Sequence, residues 1–373
     1  MAHAYTPGLK VTEKTLIKKD RRLPLKGQVI VKKGDKVGSD QIVARTELPG
    51  NVQPVNVSGL LGLLAEDVPS HMMKKIGDPV AKDETLAESK GFFGLFKSSC
   101  KAPVAGTLES VSSITGQVIL REPPMPVQIK AYIDGQVTEV SESEGATVEA
   151  FGSFIQGIFG VGGETNGDIK VVAADPSQEL TVEMLTPDCK GKVVVGGSLI
   201  KYGALKKAAE VGAKAVVVGG IDDADLKKLM GYDIGVAITG HEEVGLTLVV
   251  TEGFGQMSMA GKTFKLLKSK EGLKASVNGA TQIRAGVMRP EVIIPLSSQD
   301  AGSEAVKEAG GMEIGSAIRV IRQPYFGKIG KVSALPHELQ QLESESHARV
   351  LEVTFEDGTK AVVPRANVEL IED

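Results

Sequence analysis

From Leu23 onward the chain repeats one arrangement of polar and apolar positions: a glycine turn, then aliphatic residues alternating with polar ones, as in a half-buried strand. The first instance covers residues 31–37, with Gly34-Asp35 at the turn, and runs on to Ile42-Val43-Ala44. The second is Ile76-Gly77-Asp78-Pro79-Val80, running on to Leu86-Ala87. Residues 102–111 and 133–148 share the pattern Gly-x-(Leu/Val)-x-x-Val. Each reads as hairpin structure, and related segments so close together predict duplicated half-motifs.

From Gly191 the period changes. Lys192-Val193-Val194-Val195 predicts a buried strand, 200–211 a helix with Ala204, Leu205, Ala208 and Ala209 on one stripe, and 214–218 a second strand. That order implies a parallel pair with the helix crossing between its strands. Residues 221–230 predict another short helix, and 236–239 and 246–251 further strands. Gly196-Gly197 and Gly219-Gly220 follow the first two strands. Ligands of open α/β sheets gather beyond the C-terminal strand ends, so these glycines mark either a ligand crevice or simple turns into the helices. Arg284 and Arg289 lie near a turn before the strand at Val292; paired guanidinium groups suit a phosphate or carboxylate, or a surface ion pair.

Composition agrees with a multidomain, β-rich protein. A chain of 373 residues, 42% hydrophobic, can bury several cores, and 44 Gly with only 4% aromatic residues describe short strands and tight turns. With 43 basic against 47 acidic residues, no global field draws the molecule onto nucleic acid or an anionic membrane, so any such binding is local. No stretch approaches the roughly 18 apolar residues of a membrane span. Cys100 and Cys189 are too few for a disulfide framework or a thiolate zinc cage, which points to a reducing, cytoplasmic setting. The histidines lack metal-ligand spacing, no serine occupies a nucleophile elbow, and the carboxylates are dispersed. No catalytic residue, metal or cofactor is predicted. Cys100 is the one thiol worth testing for reactivity.

On the Gly-Asp-x-Val hairpins, residues 23–148 resemble the barrel-sandwich hybrid family, which includes biotinyl and lipoyl carrier domains, RnfC-like proteins and the hybrid module of the RNA polymerase beta-prime subunit. In its carrier domains the modified lysine sits on the exposed hairpin between the half-motifs, flanked by Met or by Asp and Ala. Here that place reads Lys90-Gly91-Phe92-Phe93-Gly94-Leu95-Phe96-Lys97, with lysines but without the flanking pattern. Phe92, Phe93 and Phe96 instead concentrate apolar surface, which serves either as a partner-binding loop or as a satellite core under a neighbouring domain. A second glycine-rich stretch, 151–163, offers backbone N–H groups of the kind that cradle phosphate. It lacks the Gly-Lys-Ser/Thr ending of a phosphate loop, and close packing of backbone on backbone is the alternative. The segment after Gly191 is similar in pattern to the swivelling α/β domains of phosphohistidine modules and protease-associated domains.

Near the C-terminal end, Ile318-Arg319-Val320-Ile321-Arg322 reads as a strand, Gln323-Pro324-Tyr325-Phe326 as a Pro-aromatic turn, and Gly327 and Gly330 precede a second strand at Val332. This resembles the KOW motif of NusG-type transcription factors and certain large-subunit ribosomal proteins. The match extends through a hairpin across Asp357-Gly358 to Val368-Glu369-Leu370, which closes an SH3-like barrel. The resemblance implies binding of RNA or of a protein partner, with Arg319, Arg322, Lys328 and Lys331 as phosphate contacts and Tyr325 and Phe326 as stacking groups or as barrel core. Gln323 stands where the family has glycine, and a polar insertion covers 336–347. Acidic residues outnumber basic ones from Gly315 onward, which favours a docking module over a phosphate-binding one.

The expected organisation is an N-terminal extension over 1–22, a barrel-sandwich hybrid-like β domain over 23–165, a swivelling-type α/β domain over 166–296, a linker over 297–314 and a KOW-like SH3 barrel over 315–373. The expected function is that of a non-enzymatic cytoplasmic adaptor, docking on a transcription or translation assembly through its C-terminal barrel. The alternative is a carrier-type or accessory subunit of a metabolic enzyme complex, with a ligand at the glycine-rich strand ends. Self-assembly through the phenylalanine loop is a third reading.

Overall fold

The stretch expected as an N-terminal extension is a strand, β1 (Thr6–Arg22), in which Leu9, Val11 and Ile17 are buried. The computed structural model describes residues 6–89, 98–231, 244–281, 288–296, 312–320, 322–336, 339–341, 347–355 and 357–372, and it is β-rich. Among the described residues no helix is long and apolar enough to cross a membrane.

Strands β2 (Gln28–Val29), β3 (Lys36–Val37) and β4 (Ile42–Leu48) begin an outer β unit. The chain then leaves it for β5 (Val52–Asn56), α1 (Val57–Leu61), α2 (Val68–His71), β6 (Pro79–Val80) and β7 (Thr85–Ser89). After β8 (Ser98–Lys101), β9 (Gly106–Val111) and β10 (Gln117–Arg121) it returns through β11 (Met125–Lys130), β12 (Gly135–Ser141) and β13 (Gly145–Gln156). Because β4 and β11 pair antiparallel out to Leu48↔Met125, everything between them is an inner unit inserted at the tip of one hairpin. The cores are separate: Val31, Val43, Ile133 and Val148 fill the outer unit, and Val57, Leu86, Leu108 and Leu120 the inner one. The stretch expected as one β domain therefore holds two nested units.

The four related sequence segments explain the nesting. Structure pairs the first with the fourth, Val37 opposite Gly135, and the second with the third, Val80 opposite Gly106. The two turns match bond for bond. Gly34 (φ +95°) donates its N–H to Val137 O at 2.7 Å, and Gly77 (φ +94°) donates to Leu108 O at 2.8 Å. Asp35 accepts the Lys32 N–H at 2.8 Å and Asp78 accepts the Lys75 N–H at 2.8 Å, the side-chain bond that lets Gly-Asp fix a tight turn. Even the irregularities agree, since β4/β11 shifts register between Ile129 and Lys130 and β7/β8 between Thr85 and Ala87. The inner unit is thus a second copy of the outer one, seated where the outer copy's own hairpin would end.

Strands β14 (Phe159–Val161) and β15 (Glu164–Val171) lead into the α/β unit. It continues with β16 (Val193–Val195), β17 (Leu199–Ile200), α3 (Tyr202–Val211), β18 (Ala215–Ile221), α4 (Asp223–Met230), β19 (Thr247–Phe254) and α5 (Gly261–Ser269). The sheet order is β15, β16, β18, β19, all parallel, with β14 antiparallel at the edge. Both faces are covered, which is why β16 and the first half of β18 are unbroken aliphatic runs. Val194, Val216 and Val218 pack toward α3 and α4, while Val193, Val195 and Val217 pack toward α5. The expected strand at 236–239 lies outside the described residues. Antiparallel β20 (Lys274–Asn278) and β21 (Glu291–Pro295) then return the chain to β13.

The C-terminal unit consists of β22 (Ala317–Val320), β23 (Ile329–Ala334), β24 (Leu339–Gln341), β25 (His347–Phe355), β26 (Lys360–Pro364) and β27 (Val368–Glu372). Its sheet runs β26, β25, β23, β22, β27 around a core of Ile318, Val320, Val332, Val353, Phe355 and Val363. The expected hairpin across Asp357-Gly358 joins β25 to β26. The predicted linker, 297–314, lies outside the described residues except for 312–314. β1 closes the assembly: it pairs antiparallel with β13 from Val11 to Arg22, and parallel with β27 through Thr6, Leu9 and Lys10.

Candidate functional site

The turn between β22 and β23 holds most of the expected contact residues, and the alternation of β22 decides where each one goes. Ile318 and Val320 enter the C-terminal core, so Arg319 must point to the other face. That face meets the end of β19 rather than solvent. Arg319 is 4% exposed and Glu252 3%, and the two form a salt bridge through Arg319 Nη2 and Glu252 Oε2. Arg319 Nη1 also donates to the carbonyl of Glu252 at 3.0 Å, and Glu252 Oε1 accepts the Ala260 N–H at 2.9 Å. A guanidinium so enclosed fastens the C-terminal unit to the α/β unit. It does not offer itself to a phosphate backbone, and this corrects the expectation for Arg319. No motif signalled Glu252 as its partner, because the two are neighbours only through the docking of separate units.

The remaining residues of the turn divide by environment. Tyr325 leans on Phe355 with ring centroids 5.3 Å apart, at the margin of the core, whereas Phe326 is 48% exposed. Arg322 and Lys331 are exposed on the outside of the unit. Lys328 lies 3.2 Å from Asp357 and 5.1 Å from the centre of the Phe355 ring, so its charge is already engaged. Asp357 accepts the Thr359 hydroxyl at 2.5 Å and the Thr359 N–H at 2.9 Å, and those bonds, with the lysine beside them, lower its pKa to about 2. Gly327 and Gly330 serve different ends. A Cβ on Gly327 would lie 2.7 Å from Met257 Cε, and one on Gly330 would lie 2.5 Å from Val353 Cγ2, so the first fits the docking contact and the second the strand packing. Phe326, Arg322 and Lys331 are thus the exposed members of the set, and neither cation has an ion pair among the described residues.

The glycine-rich strand ends of the α/β unit are filled. A Cβ on Gly197 would meet Gln178 O at 2.3 Å, one on Gly219 would meet Met257 O at 2.1 Å, and one on Gly220 would meet Gly255 O at 2.0 Å. On Gly196 it would press on Leu180 at 2.9 Å. These glycines let two loops lie directly on the sheet, and the loops occupy the place where a ligand was expected. In the stretch 151–163, Gly152, Gly157 and Gly160 pack likewise: a Cβ on Gly160 would lie 2.6 Å from Leu248 O.

Arg289 is half-buried, while Arg284 lies outside the described residues, as do Phe92, Phe93 and Phe96. Cys100 is a core residue of the inner unit, and burial pushes its thiol pKa up, the reverse of what a reactive cysteine needs. Among the described residues no group of three or more His, Cys, Asp or Glu side chains could hold a metal ion. No protein-family model matches the chain, and no curated protein matches it.

Proposed function

We propose that the chain is a non-enzymatic adaptor, built from two nested barrel-sandwich hybrid units, a swivelling-type α/β unit and a KOW-type barrel, that docks on a transcription or translation assembly through the barrel. The observation that carries this reading is the division of labour at the β22–β23 turn. Arg319 is spent on holding the barrel to the α/β unit, and Phe326 is left exposed, with exposed Arg322 before it and exposed Lys331 after it in the sequence. An exposed aromatic and an exposed arginine on one turn suit a protein contact, where aromatic and arginine side chains supply most of the binding energy. A phosphate-tracking surface requires many more cations than remain. The carrier-type alternative loses its ligand place to the loops that cover Gly197, Gly219 and Gly220.

The test is affinity purification of the tagged full chain from its native cells, with and without nuclease, beside Phe326→Ser. Recovery of polymerase or ribosomal proteins that resists nuclease and is lost in the variant supports protein docking. Recovery that nuclease abolishes assigns the contact to RNA. A chain that brings down neither assembly, or a variant that recovers everything the wild type does, refutes the proposal.

A further inference from the structure

The α/β sheet is sealed at the C-terminal ends of its strands and open at the other end. There two adjoining concavities share Thr165 and Lys214, so they form one trench between the outer β unit and the sheet. The first, about 280 Å³, is walled by Ser39, Asp40, Lys130 and Tyr132 of the outer unit and by Glu164 and Asn166 of β15. The second, about 540 Å³, lies between Gly162, Gly163, Gly212 and Gly245. Its size falls in the usual range of a small-molecule site.

Two acids and two lysines line the trench, and the acids do not pair with Lys214. Glu164 accepts both terminal nitrogens of Arg21, at 2.7 and 2.6 Å. Asp40 accepts Lys130 Nζ at 3.0 Å and Asn166 Nδ2 at 3.1 Å, bonds that hold its carboxyl below the ordinary range. Both acids are therefore neutralised by their own partners. Lys214, which begins the approach to β18, has no ion pair or side-chain hydrogen bond among the described residues. In the same concavity Gly163 faces open space, with nothing within 4 Å of the place a Cβ would take. Ser39 on the polar wall is 2% exposed, and its hydroxyl has no partner among the described residues. The glycine stretch 151–163 lacked a following lysine in the sequence. The fold brings one to Gly162-Gly163 from the start of another strand.

We propose that this trench binds a small molecule through an anionic group, a phosphate or a carboxylate, seated between the Lys214 ammonium and the backbone at Gly162 and Gly163. A lysine acts on such a group as a point charge, and glycine lets the backbone approach it closely. The rest of the molecule lies toward Ser39 and Lys130. This site is independent of the docking turn on the C-terminal unit.

Titrating the isotope-labelled full chain with inorganic phosphate, and separately with succinate, while following backbone amides by NMR tests the proposal. Saturable shifts confined to residues 162–165, 212–214 and 244–247 are expected with at least one anion, and the anion that produces them names the group. Lys214→Gln should weaken the effect about tenfold or more. Gly163→Val adds bulk where there is room for it and should abolish binding without changing the thermal midpoint. No saturable shift with either anion overturns the proposal, as do shifts that persist unchanged in both variants.

Discussion

Replacing Arg319 by Met keeps most of the side chain's volume and removes its charge, which isolates the ion pair that joins the C-terminal and α/β units. The Glu252 carboxylate, 3% exposed, would then keep the Ala260 N–H, at 2.9 Å, as its remaining bond among the described residues, and the Glu252 carbonyl would lose the donor now 3.0 Å away. Breaking one side of a buried, hydrogen-bonded pair costs about 3–5 kcal/mol, because the surviving charge stays out of water without compensation. The cost falls on the interface between units, so it should appear as local opening and not as global unfolding. At about 1.4 kcal/mol per factor of ten, amide exchange across β22 and the end of β19 should quicken roughly 10²- to 10⁴-fold in Arg319→Met and in Glu252→Gln. Hydrogen-exchange mass spectrometry measures this directly. The double variant Arg319→Met with Glu252→Leu leaves no orphaned charge and should recover most of the protection, since apolar replacement of a whole buried pair is often neutral. Unchanged exchange in the single variants would refute the reasoning, and so would a double variant no better protected than the worse single one.

Gly219→Ala places a methyl group 2.1 Å from Met257 O and should cost at least the upper end of the about 1–3 kcal/mol typical of overpacking, whereas Gly163→Ala should stay within about 0.5 kcal/mol; urea denaturation compares them. The depressed pKa of Asp357, about 2 against 3.8, means that its stabilising bonds to Thr359 are fully present above about pH 4 and are lost as pH falls through about 2. The acid transition of the C-terminal unit should therefore weaken in Asp357→Asn, and an NMR titration of the carboxyl checks the value itself. Cys100 and Cys189 are both buried, so neither should react with a thiol reagent in the native protein, and both should react at once in denaturant.

What could be read from the sequence was local. The Gly-Asp turns, helix α3 and the hairpin across Gly358 are each fixed by residues within a few positions of one another, and each formed where the pattern placed it. Partnership was not legible. Nothing near Val37 says that it pairs with Gly135 while Val80 pairs with Gly106, because nesting is a property of which half-motif meets which across long separations. β1 escaped notice because Lys18, Lys19, Asp20, Arg21 and Arg22 look like a solvated tail. Four of those charges are met from elsewhere: Lys18 by Glu149 at 2.6 Å, Lys19 by Glu291 at 2.6 Å, Asp20 by Thr147 at 2.8 Å and Arg21 by Glu164 at 2.6 Å. Arg319 misled for a related reason. A basic residue in a strand next to a Pro-aromatic turn invites a surface reading, and only the docking of another unit buries it. The α5 helix was missed because Gly261 and Lys262 at its start carry none of the usual capping signals.

The pairing of β1 with β27 has a consequence for how the chain is made. Leu9 leaves the ribosome long before its sheet neighbour Ile371 does. At about 5–20 residues per second, that interval is roughly 20–70 s. Through all of it the leading part of β1 offers an unpaired edge, a hazard for aggregation that a nascent chain must survive. The nested units can close soon after their own strands emerge, so synthesis should yield a body folded from the middle outward, with its first strand docked last. Contacts of such long sequence separation make the final step slow, and a chaperone that shields β1 would act on an edge that cannot yet protect itself.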